Sequence, residues 1–482
     1  MRGWRNLLVA LAMLLIPELI AAWTIPMNIS NTEMKSMHPA IAIGERNDIH
    51  VVWTDFQTDP WTPGEVLYCY YDGDTWSGAT NISKDSTSSQ DTRIAIDTLG
   101  YPHVIWEDWG MMGGPARVYY SFFTGDSFAA SLCLTDSLQP GAFTRLGDIA
   151  IDSVNRIHIV WSAETASVFE VYYVRGEDGA WSLPVNISNN PRGNSSMPRM
   201  AIDSESNLHV VWEEEETDTS YYREIYYSRF DGDSWSTALN ISNLPRTSFN
   251  QQISVSLEGY PHVVWGEGNN HIYYSFYDGD AWSTPFPLSD TLTQEEGYKP
   301  DIVVDVDSHP HVVWSGQGGE LWYAYYTSTT WTAPIDVSGS LANALNPDIT
   351  VDDSDCLHLV WTEPVEISRF EIYYSKHQPT GVDEKREPVL SGPIGAWVFP
   401  SPTNGAVRIE YDLCKDSRVD LTIYGLLGQR IKTLIDTYQL AGHHTVTWNA
   451  TDNSGRRVPS GTYFLRLEVG QQTATRKVCV VR

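Results

Sequence analysis

The sequence predicts an all-β protein whose main body is a seven-bladed β-propeller, followed by a second, smaller β domain. Three observations carry this. A His-x-x-Trp tetrapeptide with an apolar centre recurs seven times, at His50–Trp53, His103–Trp106, His158–Trp161, His209–Trp212, His262–Trp265, His311–Trp314 and His358–Trp361. Successive tryptophans stand 53, 55, 51, 53, 49 and 47 residues apart, a period that fits one four-stranded blade and is too long for helical solenoids, whose 3.6-residue periodicity is also missing here. Charge is split along the chain: residues 393–482 hold 11 Lys/Arg against 7 Asp/Glu, whereas residues 1–392 hold 20 against 54. At 482 residues the chain exceeds one ordinary core, so the charge step marks a domain boundary.

Taken in order, residues 1–22 read as a secretory signal. Arg2 and Arg5 make a basic start, Leu7 to Ile16 is an unbroken apolar run, and Ala21-Ala22 offers a small-residue cleavage site. Ten apolar residues are too short to span a bilayer, and no later stretch is long and apolar enough, so a mature chain starting near Trp23 without a membrane span is expected. The propeller is expected over residues 23–377. Each unit carries four β-type segments: one like Ile94-Ala95-Ile96-Asp97, the His-x-x-Trp strand, one like Ile225-Tyr226-Tyr227-Ser228, and one starting at a Trp, as in Trp235-Ser236-Thr237. The residue ending strand one lies six before the His in every unit (Gly44, Asp97, Asp152, Asp203, Ser256, Asp305, Asp352), and this constant turn fixes the register. Blade seven lacks its fourth strand, because no Trp follows Ser375. Trp23–Ser30 matches Trp76–Ser83, Trp181–Ser188 and Trp235–Ser242, so it is expected to supply that strand and close the ring.

The turn before strand four reads Ser228-Arg-Phe-Asp-Gly-Asp-Ser-Trp235 and Ser275-Phe-Tyr-Asp-Gly-Asp-Ala-Trp282, with looser copies at Cys69–Trp76, Ser121–Phe128, Val174–Trp181 and Ala324–Trp331. These turns resemble the Asp-box (BNR) repeats of sialidase-like propellers in the Ser at position one, Gly at five and aromatic at eight. They depart at position three, where the family's Asp is replaced by an aromatic and the Asp comes one later. The resemblance concerns architecture, not activity.

Residues 378–392 are polar, Pro-containing and unpatterned, hence a linker. Beyond it, residues 393–482 contain "FPSP", "LTIYGLLGQRI", "AGHHTVTWNATDNSGRRVPSGTYFLRL" and a final basic-plus-apolar strand. This resembles the Ig-like C-terminal sorting domains of the type IX secretion system and the related domain of flagellar hook-cap proteins. The resemblance implies a small Ig-like β-sandwich, secretion machinery as a partner, and a place outside a Gram-negative cell, secreted or on the outer surface. Five cysteines are scattered with no CxxC pair; Cys414 and Cys479 share the last domain and are a candidate pair, with free thiols the alternative.

Repetition removes the most visible residues from the functional candidates. Seven His-x-x-Trp copies are a structural set: the Trp faces one side, the His the other, and each imidazole needs a backbone or turn partner. The Asn-Ile-Ser triplets at Asn28, Asn81, Asn186 and Asn240 end strand four and read as turns. Strong acidity argues against nucleic acid as a partner. Function is expected where the repeats disagree, on the face carrying the loops into strand one. There Ala40, Arg93, Asp148, Arg199, Gln252, Asp301 and Asp348 should ring the mouth of the central channel, with the two arginines and three aspartates as a candidate site for a polar ligand such as a sugar acid. Two residues beyond each strand-two Trp, Asp55, Asp108, Glu214, Glu267 and Glu363 are acidic. They form either a hydrated rim or a cation site, Ca2+ being the one cofactor to consider. No nucleophile elbow, metal-ligand spacing or phosphate loop occurs. The expected function is a non-catalytic propeller binding a glycan or a surface protein, with a divergent glycosidase or lyase as the alternative.

Overall fold

The computed structural model describes residues 23–377 apart from 45, 57–62, 85–86, 111–114, 139–141, 166, 216–221, 269, 290–296, 340–342 and 367–368, and describes 396–399, 407–413, 417–425, 429–440, 442–469 and 472–480 of the C-terminal part. The signal segment, residues 378–392 and Cys414 lie outside the described residues. The chain divides into two compact units, 1–380 and 381–482.

The first unit holds seven antiparallel sheets, six of them in sequence order from a long inner strand to a short outer one, the seventh taking its outer strand from the N-terminal segment. Blade four is typical: Ser195–Ile202, Leu208–Glu215, Arg223–Phe230 and Leu239–Asn240. Each innermost strand packs on the innermost strand of the next blade, and the seventh packs on the first, so the ring is closed. The outer strand is shorter than the Trp-containing segments imply. Trp235 makes one isolated bridge to Phe230, and the strand proper follows at Leu239–Asn240. A two-residue edge strand offers little template for pairing with another chain.

The seven strand-two tryptophans are fully buried, and the histidines on the opposite face form a second repeated device. Each Nδ1 hydrogen bonds a strand-three tyrosine hydroxyl at 2.7–2.9 Å, from His50–Tyr68 through His358–Tyr374. In six blades Nε2 faces the Asp of the strand-one turn, for example His311–Asp305 at 3.2 Å. Each of these tyrosines then meets the strand-four aromatic of the next blade: Tyr68–Phe128, Tyr120–Trp181, Tyr173–Trp235, Tyr227–Trp282, Tyr274–Trp331 and Tyr374–Trp76, all edge-on. The tyrosine therefore fastens its own blade by its hydroxyl and the neighbouring blade by its ring. Blade five departs: Ser256 stands where five blades carry the Asp near Nε2 (blade one supplies Asp48 from within the turn), and burial pushes the His262 pKa down to about 4, against the pull of Glu258.

The N-terminal segment completes blade seven. Met27 and Asn28 pair with Tyr374 and Tyr373, Thr24 N and Ile29 N donate to the carbonyls of Lys376 and Ile372, and Trp23 sets its ring edge-on to Tyr323 of blade six. Trp23 thus fills the seventh copy of the aromatic position that Trp235 fills in blade four. The Asn-Ile-Ser ends are turns with a latch. Asn28 Oδ1 accepts from Asn31 N at 2.9 Å, while Ser30 Oγ donates to buried Glu371 at 2.5 Å and accepts from Ile372 N at 2.8 Å. Ser83, Ser188 and Ser242 repeat this with Glu65, Glu170 and Glu224. In the Asp-box-like turns the displaced Asp caps the loop: Asp231 Oδ1 accepts from Asp233 N and Ser234 N at 3.0 and 2.8 Å, and Gly232 sits at φ 97°, where a side chain would be strained.

The second unit is a β-sandwich of two sheets. Ala396–Phe399, Val407–Leu413 and Gly442–Trp448 form one; Arg430–Gln439, Ser417–Gly425, Gly461–Val469 and Gln472–Val480 form the other. Alternating residues such as Ile409, Tyr411, Leu421, Ile423, Leu465 and Trp448 fill the space between them.

Candidate functional site

The channel mouth is built by a backbone device that repeats seven times. In every blade the pairing of strands one and two slips just before the channel position, between Met37 and Ala40 in blade one and between Leu345 and Asp348 in blade seven. Six of these bulges hold a non-glycine residue in the left-handed region: His38, Asp91, Met197, Asn250, Lys299 and Asn346, with φ between 48° and 56°. Blade three uses Gly147 instead, where a Cβ would stand 2.1 Å from the Val160 carbonyl oxygen. Bulges re-aim side chains, and left-handed non-glycine residues store strain of order 1–3 kcal/mol each.

The channel positions share one electrostatic space. Arg199 of blade four feels the charges of Arg93, Asp148, Asp91 and Asp301; burial and the Arg93 charge lower its pKa to about 10 despite those carboxylates. Asp301 is raised to about 6, by burial first, with hydrogen bonds from Ile349 N and Ile302 N and the Arg93 charge opposing. Asp348 is pushed well above the carboxylate range by burial and by Asp301, with which it shares a hydrogen bond. Burial and the Asp301 charge thus favour the protonated form of Asp348 within this hydrogen-bonded pair. Ala40 is buried, and Gln252 lies half-buried opposite Val264 at the same position of blade five.

Two of the three aspartates also serve the ring itself. Asp148 Oδ2 accepts from Met200 N of the next blade at 3.0 Å, and Asp301 Oδ2 accepts from Ile349 N of the next blade at 2.7 Å. The arginines are less committed. Arg93 donates to its neighbour's Thr92 carbonyl at 2.6 Å, and Arg199 Nη1 to the carbonyls of Gly147 and Pro198 at 3.2 and 3.1 Å. Arg199 Nε is buried and has no hydrogen-bond partner, an arrangement that costs of order 1–3 kcal/mol unless a ligand or water meets it.

The bulge residues add a second tier that sequence reasoning missed. His38 Nδ1 lies 3.0 Å from Asp91. Burial works to raise Asp91, but the His38 hydrogen bond and charge, with Arg93 and Arg199, hold it at about 2. Lys299 Nζ donates to Asn346 Oδ1 at 2.5 Å. The available signal was the Pro that follows the bulge residue in His38-Pro39, Met197-Pro198, Lys299-Pro300 and Asn346-Pro347; Pro has no N–H to pair and collects at bulges.

The acidic rim is corrected. Asp55, Asp108, Glu214 and Glu267 are 2–7 % exposed and so form no hydrated ring. Each accepts a hydroxyl from strand one of its own blade: Ser36 to Asp55 at 2.9 Å, Ser89 to Asp108 at 3.0 Å, Ser195 to Glu214 at 3.2 Å and Ser248 to Glu267 at 2.9 Å. Glu363 takes the indole N–H of Trp361 at 2.9 Å. These carboxylates close hairpins, and their oxygens are turned to their own strands rather than to a shared cation. The acid cluster Asp352, Cys356 and His358 is the blade-seven copy of the turn-to-histidine contact found in Asp152–His158 and Asp305–His311.

Residues 401–472 match the FlgD Ig-like domain family. No curated protein matches the sequence. Among solved structures, a protein of unknown function from Dyadobacter fermentans is 11% identical, with a TM-score of 0.49 over 74% of this chain and 98% of that one. PorZ, a surface component of the type IX secretion system of Porphyromonas gingivalis, is 17% identical with a TM-score of 0.45; the match covers 92% of this chain and 59% of that one. NanB sialidase of Streptococcus pneumoniae is 11% identical with a TM-score of 0.43, over 76% of this chain and 71% of that one. Among the described residues no helix is long and apolar enough to cross a membrane.

Proposed function

We propose that this chain is an exported propeller that binds an anionic ligand, a carboxylate-bearing sugar of a surface glycan or glycoprotein, at the channel mouth. The C-terminal Ig-like domain would deliver it to the secretion machinery and the cell exterior. The observation that carries the reading is the Arg93–Arg199 pair. Two guanidiniums repel each other in one channel, the Arg93 charge helping to lower the Arg199 pKa despite Asp148, Asp91 and Asp301, and Arg199 keeps an orphaned Nε. An arriving carboxylate would relieve the repulsion and occupy the free donor, as planar bidentate recognition by arginine favours. Arg93, Arg199 and Lys299 would make the anion contacts, while Gln252 and Asp348 would offer neutral hydrogen bonds.

The test is binding of acidic and neutral glycans to the full chain at pH 7, by calorimetry. Acidic glycans should bind, weaken with salt, and lose about tenfold or more affinity with Arg199→Ala, equal to about 1.4 kcal/mol. Equal affinity for neutral glycans, or binding untouched by Arg93→Ala and Arg199→Ala together, would overturn the reading.

One observation favours hydrolysis as the alternative. Two carboxyls whose pKa values are pushed apart are the kind of pair a hydrolase uses as acid and base, and Asp348 and Asp301 are so paired, although their shared hydrogen bond sets them closer than the roughly 5 Å or more between a glycosidase's two carboxyls. Turnover of acidic glycosides that disappears in Asp348→Asn while binding persists would establish it. Binding without turnover would exclude it.

A further inference from the structure

A second place on the same face breaks the repeat, and it breaks it toward aromatics. Phe143 stands five residues before Asp148, where the other blades carry Lys35, Ser88, Asn194, Thr247, Glu296 and Asn343. Trp109 stands three residues after Trp106, where blade one carries Phe56 and blades three to seven carry Glu164, Glu215, Gly268, Gln317 and Pro364. These two residues are 45 % and 41 % exposed and stand together in one lining rather than scattered singly. With Phe169, Arg145 and Glu164 they wall a cavity of about 310 Å3 at the seam of blades two and three, within the range of small-ligand sites.

The walls are held in place. The Trp109 indole donates to Glu107, a buried carboxylate that also accepts Leu146 N at 3.0 Å. The Arg145 guanidinium lies over the Phe169 ring, 5.2 Å from its centre, so its charge is parked at the cavity edge. Glu164 is fixed through its backbone, which donates to the Phe143 carbonyl at 2.8 Å. The cavity thus offers Trp109, held by its indole bond, beside Phe143 and Phe169, with one cation and one carboxylate.

We propose that this seam cavity is a separate glycan subsite. It stacks the C–H face of one neutral pyranose ring on Trp109 and Phe143, while Glu164 accepts from the ring hydroxyls and Arg145 donates to them. A sugar ring is the ligand class with an apolar face and a hydroxyl-bearing edge at this size. A purely hydrocarbon ligand would leave both charges unpaired. The inference does not rest on the channel reading, because neither Arg93 nor Arg199 lines the cavity.

The experiment uses the full chain and a panel of neutral oligosaccharides of glucose, galactose and N-acetylglucosamine, read by saturation-transfer NMR and calorimetry. At least one should bind. Trp109→Ala should weaken it by tenfold or more, the loss expected for one buried stacking face, whereas Trp109→Phe should keep it within about threefold. Arg199→Ala should leave it unchanged, which separates this site from the channel. Trp109→Ala also removes the indole donor to buried Glu107 and should melt somewhat lower, so Phe143→Ala, which breaks no such bond, gives the second, independent loss. The proposal is wrong if no neutral glycan binds, if binding survives both substitutions, or if only peptides bind and compete at Trp109.

Discussion

Replacing Ser30 by alanine tests the ring closure with one oxygen atom. Ser30 Oγ donates to Glu371, whose side chain is 1 % exposed, and accepts from Ile372 N. Losing the amide bond costs about 1 kcal/mol, and leaving a buried carboxylate short of a donor about 1.5–3 kcal/mol, so about 2–4 kcal/mol is expected in all. With a urea m-value of about 4 kcal/mol/M for a domain of this size, the midpoint should fall by about 0.5–1 M. Ser83→Ala is the internal control. Its hydroxyl makes the same two bonds, to Glu65 and from Val66 N, but between strands of one hairpin-connected blade. Hydrogen exchange separates the two: Ser30→Ala should speed exchange at residues 27–31 and 372–376, whereas Ser83→Ala should act within blade one. A midpoint within about 0.1 M of the parent, or unchanged exchange at 372–376, would refute the latch.

Two further outcomes concern charge. In blade five the His262 pKa lies at about 4 in the folded state against about 6.5 unfolded. The unfolded chain takes the proton first, so stability should fall as pH drops from about 6.5 to 4, by up to about 3 kcal/mol from this residue. Ser256→Asp should supply the partner that six blades already have, raise the His262 pKa in an NMR titration and blunt that acid loss; an unchanged titration would refute the partner argument. Asp348 behaves in the opposite sense. Its folded pKa is raised, so its contribution is complete below about pH 4 and is lost as pH rises through the folded value. Asp348→Asn should therefore gain stability relative to the parent at pH 8 and little at pH 4, and a uniform shift at both pH values would count against the shared proton.

The blades were legible because their markers lie within one strand: a buried Trp and a His three residues earlier repeat without any knowledge of pairing. The tyrosine partner was in view as the second Tyr of Ile225-Tyr226-Tyr227-Ser228, yet its role appears only when strands two and three lie side by side. The acidic positions were misread for the same reason. Ser36 and Asp55, Ser89 and Asp108, Ser195 and Glu214, and Ser248 and Glu267 are each 19 residues apart, a cross-strand spacing that speaks only once the hairpin register is known. The bulges left only an indirect trace, the Pro after Met197 or Lys299, since a left-handed Lys or Met has no signature of its own. The Arg93 and Arg199 positions were located from the repeat, but their mutual repulsion and the raised Asp348 pKa depend on distances across the ring that no local pattern encodes.

The bond between Ser30 and Glu371 spans 341 residues, and that separation gives the fold a clock. A chain that emerges N-terminus first makes its outermost strand before any of the sheet it belongs to. Residues 23–30 must wait, unpaired, while six blades assemble, and only the arrival of residues 369–377 gives them a partner. Until then the ring is an open arc with a free inner edge at each end, the state in which such proteins associate wrongly. Completion is therefore a single late event, reporting that the whole arc has been made. A chain stopped anywhere before blade seven cannot form the closed channel at all.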